Sequence, residues 1–181
     1  MKFTPLVFLF ILNLSLQAQE KDERIFWAED RPLTWSDFKA EAEADHDFAA
    51  STNSGISLGW NYSTASGKPV FEYEVQAYFD PNRSWVQEDI DESDELLAHE
   101  QAHFDISEIH ARKFRRALSE YEIGRNIRQD MKRLTSKFEA ERKSMQQAFD
   151  RETGHSENAE AEKRWQKFIA SELAKLEVYK N

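Results

Sequence analysis

The chain has 181 residues, 40% of them hydrophobic and 13% aromatic, with a formal net charge of −10. That length can bury a substantial core in one domain, and the acidic balance argues against nucleic acid, whose phosphates need a basic surface. The absence of cysteine excludes disulfides and any lipid-modified cysteine.

Residues 1–18 read as a signal peptide. Lys2 supplies a positive end, Leu6 to Leu12 an apolar run, and Gln17-Ala18-Gln19 a small residue at a cleavage point. The run is too short to span a bilayer comfortably. The expectation is an exported protein, periplasmic or extracellular, that meets a membrane only if this segment stays uncleaved. Residues 19–181 are expected to form a single domain.

Leu33-Thr34-Trp35-Ser36-Asp37-Phe38 reads as a turn into a short element anchored by two aromatics, and the acidic, alanine-rich stretch 40–50 as a mobile or loosely helical segment. Gly55 to Tyr62 reads as a strand. The clearest strand is Val70 to Phe79, where Phe71, Tyr73, Val75, Ala77 and Phe79 alternate with Glu72, Glu74, Gln76 and Tyr78. Everything after Asp80-Pro81-Asn82-Arg83-Ser84 reads as helix. The first helix is expected from a cap near Ser93 to about Tyr121. The second covers about Asn126 to Asp150, with Ile127, Met131, Leu134, Phe138, Met145 and Phe149 as its stripe. The third covers about Ala159 to Val178, placing Trp165, Phe168, Ile169, Leu173 and Leu176 on one face. The predicted fold class is α+β: a small antiparallel sheet followed by three long helices.

The chemistry concentrates in His99-Glu100-Gln101-Ala102-His103. Two histidines four apart on a helix project from one face about one turn apart, a spacing that grips a single Zn²⁺. The glutamate between them is placed to take a proton from a zinc-held water. Without cysteine, the remaining ligands must be histidine or carboxylate, which suits a catalytic zinc better than a structural one.

A third protein ligand is needed. His110 shares the helix face but lies roughly 10 Å beyond His103, so it reads as a surface or helix-packing residue. An antiparallel second helix returns the chain past Asp150 and Gly154 to deliver His155 beside the motif, with Asp150 and Glu152 as rivals for the ligand role or as groups orienting a ligand histidine. Asp105, two residues past His103, points away from the metal and reads as a structural hydrogen-bond acceptor, and Glu108 lies on the wrong face. Leu97, Phe104 and Ile106 read as core, and His46, between Asp45 and Asp47, as a polar-loop residue.

Four segments together resemble a known family. They are Leu33 to Phe38, Ser84-Trp85-Val86, Leu96 to Ile106 and Phe149-Asp150-Arg151-Glu152-Thr153-Gly154-His155 followed by Trp165. The chain is similar to the exported bacterial proteins catalogued as domain-of-unknown-function family nine-two-two, regarded as zinc-dependent proteases of the zincin-like group. That resemblance implies His99, His103 and His155 as metal ligands and Glu100 as the general base. Ser156 departs from it, since glycine is expected after the histidine.

The expected function is hydrolysis of peptide bonds in a peptide or protein substrate, with one zinc ion per chain. Tyr78, Arg112 and Tyr121 are candidates for the further electrophile that such chemistry needs. By analogy with zincins, the Val70–Phe79 strand is expected to align the peptide. Two other readings are a non-hydrolytic zinc-binding protein, which would have no need of Glu100, and a helical interaction module. The substrate and the oligomeric state are not legible in the sequence.

Overall fold

The computed structural model describes residues 23–42, 48–88, 90 and 92–181; the signal segment and His46 lie outside the described residues. The architecture is α+β, a small antiparallel sheet followed by three long helices. Strands β3 (Ser54–Ser63) and β4 (Val70–Phe79) form a hairpin in register from Ser54↔Phe79 to Ser63↔Val70. The two-residue β1 (Ile25–Phe26) joins the other edge of β4 at Phe79 and Tyr78, giving the order β1-β4-β3. The alternation of β4 resolves as its pattern predicts: Val75, Ala77 and Phe79 are buried while Glu72 and Glu74 face outward. Gly55 is opposite Tyr78, and a Cβ there would come within 2.6 Å of the tyrosine Oη, so any larger residue would have to push the Tyr78 ring aside.

A second sheet pairs β2 (Ala50–Ser51) with β5 (Trp85–Val86). Both strands escape sequence reading, because two residues carry no periodicity. Ala50 therefore belongs to a strand rather than to the mobile or loosely helical segment expected over 40–50. The segment after Ser84 is likewise not helical from the outset.

Helix α1 (Asp94–Ser119) starts where Ser93 Oγ accepts the Leu96 N–H at 3.2 Å, with Asp94 and Glu95 in its first turn. Helix α2 (Ile127–Thr153) stops at Gly154, whose left-handed φ of 59° closes the end. Helix α3 (Ala159–Lys175) is capped by Asn158 and followed by a 3-10 turn, Glu177–Tyr179. Among the described residues no helix is long and apolar enough to cross a membrane.

Helix α1 is buried on two sides. Phe104, Ala111, Phe114 and Leu118 meet Ile56, Val75, Ala77 and Phe79 of the sheet, together with Met131 and Phe138 of α2. On the other side Ala102, Ile106 and Ile109 meet Phe149 of α2 and Ile169 of α3. Each large apolar side chain so buried contributes about 1.5–3 kcal/mol. Phe168 departs from the expected stripe. It is 44% exposed, because α3 docks through Ile169 and leaves its neighbour on the shoulder, edge-on to Trp165.

Between these two cores, α1 also buries charge. Glu108 accepts from Arg112 Nε at 2.9 Å and from Arg115 Nη1 at 3.0 Å. The same guanidiniums donate to the carbonyls of Leu173, Val75 and Tyr179, tying α1 to α3, β4 and the last turn.

His110 is a helix-packing residue, buried with Nε2 3.4 Å from Met145 Sδ. Burial, reinforced by Lys113 and Arg142, lowers its pKa from 6.5 to about 4. The unfolded chain thus takes up this proton at a higher pH than the folded one. Its contribution is constant above the unfolded pKa of 6.5, is lost as pH falls through the window, and is fully lost below about 4. The loss amounts to roughly 3 kcal/mol. Urea titrations of wild type and His110→Leu should show a stability difference that is flat above pH 6.5 and shifts in favour of the variant on acidification. A difference that stays flat down to pH 4.5 would contradict this account.

Candidate metal centre

Helices α1 and α2 run antiparallel, shown by the ring contacts Phe114–Phe138 toward one end and His99–Phe149 at the other. Phe149 builds the site locally. Its ring stacks on His99 at 4.6 Å and meets His103 edge-on at 5.1 Å, holding the two imidazoles nearly perpendicular. Gln146, one turn earlier on α2, donates to the His103 carbonyl at 3.0 Å and fixes the two helices against each other.

Asp150, the residue after Phe149, enters the space between the histidines. Its Oδ1 lies 2.9 Å from His103 Nε2 and 3.5 Å from His99 Nε2. One ligand atom from each of the three residues lies within 4.8 Å of the others, a cluster able to hold a metal ion. Asp150 Oδ1 is buried with no partner in hydrogen-bond geometry among the described residues. Two imidazole nitrogens and a carboxylate oxygen that converge on one point suit a cation between them.

The electrostatics agree. Burial alone would raise the Asp150 carboxyl, yet the His103 and His99 imidazoles outweigh it and hold it well below the usual carboxylate range. Burial likewise lowers His99, but Asp150, Glu100 and Glu162 together leave it above its ordinary value. The cluster therefore attracts positive charge, whether proton or metal.

Glu100 is 3% exposed, and its Oε2 also lacks a partner among the described residues. It lines, with His99, His103 and Asp150, a cleft of about 620 Å³. The opposite wall is residues 48–52, including β2, which Thr52 fastens to α1 by donating to the Glu100 carbonyl at 3.3 Å. One of the segments singled out in the sequence holds this wall. Trp85 and Val86 pair with Ser51 and Ala50, and Ser84 Oγ accepts the Asn53 N–H at 2.9 Å. The Leu33–Phe38 segment is a capped turn in which Asp37 accepts from Thr34 and Arg31, and it is fastened to α1 by the Leu33 N–H to Gln101 Oε1 bond.

His155 stands at the cleft mouth. Its side chain is half exposed, Nδ1 lies 4.0 Å from Asp150 Oδ1, and its ring packs on Phe48 at 4.4 Å. It is outside the group whose ligand atoms lie within 4.8 Å of one another. Ser156, the departure from the expected glycine, has φ 73°, and His155 φ 53°. Both are in the left-handed region that glycine enters without strain.

Glu152 is directed elsewhere, accepting from Trp165 Nε1 at 2.9 Å. Asp105 is a structural acceptor, bonded to Trp27 Nε1 and Gln101 Nε2 at 2.8 Å each. None of the three expected electrophiles lines the cleft. Arg112 is engaged with Glu108, Tyr121 bonds Asp130, and Tyr78 sits beneath Arg24. Nor does β4 line it. That strand is flanked by β3 and β1, and the strand at the cleft is β2.

Sequence reasoning missed Glu162. Its Oε1 lies 2.7 Å from His99 Nδ1, reached from α3 across 63 positions. No spacing rule relates residues on separate helices, so only the packing of α3 on α1 brings it in.

A family model described as "Bacterial protein of unknown function (DUF922)" matches residues 36–156, more than half of the chain. The chain belongs to the DUF922 family. The matched span contains β2 to β5, α1, α2 and all three members of the cluster, whereas α3, with Glu162, lies beyond the DUF922 match. No curated protein and no solved structure matches the chain.

Proposed function

We propose that this DUF922 chain is an exported, zinc-dependent peptidase acting on peptide or protein substrates outside the cytoplasm. The observation that carries the reading is the convergence of His99, His103 and Asp150 in one cleft with a buried, unpartnered Glu100 carboxylate. The donor set of two imidazoles and one carboxylate suits Zn²⁺ and leaves room for a water. Zinc held there would supply Lewis-acid polarisation of a scissile carbonyl and a water acidic enough to ionise near neutral pH.

The chain's own residues do the rest. Glu100, desolvated and with a free oxygen, accepts the proton of the attacking water and returns it to the leaving amine. His155, beside Asp150 at the mouth, is placed to donate a hydrogen bond to the oxygen that gains charge. In this reading it takes the electrophile's part, and Asp150 takes the third-ligand position that the family resemblance implies for His155. The 48–52 segment offers an extended wall along which a peptide could lie.

Zinc stoichiometry and affinity of the purified mature chain test the ligand set. Wild type should hold one zinc per chain. Asp150→Ala and His103→Ala should lose affinity by at least a hundredfold, while His155→Ala should keep it within about tenfold and lose hydrolysis. Equal loss in His155→Ala and Asp150→Ala would restore His155 to the ligand set. No zinc in the reconstituted wild type would end the peptidase reading.

A further inference from the structure

We infer that Glu162 is a positioning residue for the metal centre, fixing His99 in the tautomer that presents Nε2 to the ion. The inference rests on the zinc reading above and adds to it a group from α3.

The two nitrogens of an imidazole face opposite sides of the ring. His99 Nε2 faces Asp150 at 3.5 Å, while Nδ1 faces Glu162 Oε1 at 2.7 Å. Glu162 is therefore on the far side of the ring from the cluster and cannot share its ion. A carboxylate accepts and never donates, so its contact with Nδ1 places the proton there and leaves the Nε2 lone pair free for a metal. The negative charge behind the ring also raises its basicity as a ligand.

Glu162 is 8% exposed, and its second oxygen, Oε2, is buried with no hydrogen-bond partner among the described residues. A carboxylate recruited only to dock α3 would gain nothing from this uncompensated burial. Docking is already provided by Ile169 in the apolar core and by the Leu173 carbonyl, which accepts from Arg112 Nη1 of α1 at 2.8 Å. The ring's other freedoms are removed by Phe149, stacked on its face, so Glu162 supplies the one constraint that packing cannot: which nitrogen carries the proton.

The test measures zinc affinity by competition with a chromophoric chelator, and the visible absorption of the Co²⁺-substituted chain, for wild type, Glu162→Ala, Glu162→Gln and His103→Ala. Glu162→Ala should lose ten- to a hundredfold in zinc affinity and show shifted cobalt bands. Its metal-free far-ultraviolet circular dichroism should match wild type. Glu162→Gln keeps a neutral acceptor oxygen and should recover part of the loss.

A purely structural role would lower the melting temperature of the metal-free protein without moving the cobalt bands. Wild-type affinity and bands in Glu162→Ala would overturn the inference. Should Glu162→Ala fail to fold, Glu162→Gln decides: a several-fold loss with shifted bands supports the role, and unchanged values refute it. If wild type holds no zinc, or His103→Ala holds it as tightly, the zinc reading itself has failed. If only the Glu162 variants match wild type, that reading stands without this addition.

Discussion

Glu100→Gln is expected to retain one zinc per chain and to lose peptide hydrolysis by a factor of about 10²–10⁴, the usual contribution of a positioned general base. Glutamine preserves the shape of a side chain only 3% exposed, so the fold and the neighbouring ligands should be undisturbed. What it removes is an acceptor with a free lone pair: Glu100 Oε2 has no partner among the described residues, as a base awaiting a water's proton requires. The measurement is fragment release from a mixed peptide library, with metal content determined on the same samples. Hydrolysis undiminished in Glu100→Gln would remove the residue from the mechanism. A wild type that binds zinc yet releases no fragments would favour the non-hydrolytic reading.

The largest expected effect on stability lies away from the cleft. Glu108→Ala strips the carboxylate from between Arg112 and Arg115, guanidiniums that are 1% and 7% exposed. Breaking one partner of a buried ionic network leaves uncompensated charge, at about 3–5 kcal/mol, against a total stability of about 5–15 kcal/mol for a domain. The Glu177 carboxylate still pairs with Arg112 at 3.0 Å, and the carbonyls of Leu173, Val75 and Tyr179 still accept from the two arginines, so the low end of that range is expected. Glu108→Gln, which keeps an acceptor but not the charge, should fall between. Urea midpoints measure the effect, and a loss under about 1 kcal/mol would show that Glu177 and the backbone acceptors suffice without Glu108. Because the network joins α1 to α3 and to β4, its failure should also loosen the helix that carries Glu162.

Local pattern determined a great deal of this protein. The strict alternation over Val70–Phe79 and the 3.6-residue stripes of the helices, bounded by Ser93 and Gly154, carry their signals within a few consecutive residues. The pairing of His99 with His103 is likewise a property of one helix turn. Even the return of α2 to the motif followed from helix rise, which narrowed the third ligand to Asp150, Glu152 and His155. Which of those three converges with His99 and His103 was decided by the tertiary structure. Their order on the helix end depends on where Phe149 packs, and that packing turns Asp150 inward and Glu152 toward Trp165.

The same holds for every contact made between elements. β2 and β5 are too short to announce themselves, yet they build the cleft wall. The burial of Arg112, proposed from sequence as an electrophile, is decided by Glu108 and the last turns of the chain. Glu162 meets His99 only because α3 folds back on α1. Spacing along a helix is fixed by covalent geometry and can be read in one dimension. Contacts between helices depend on which faces the whole core selects, and no short stretch of sequence contains that choice.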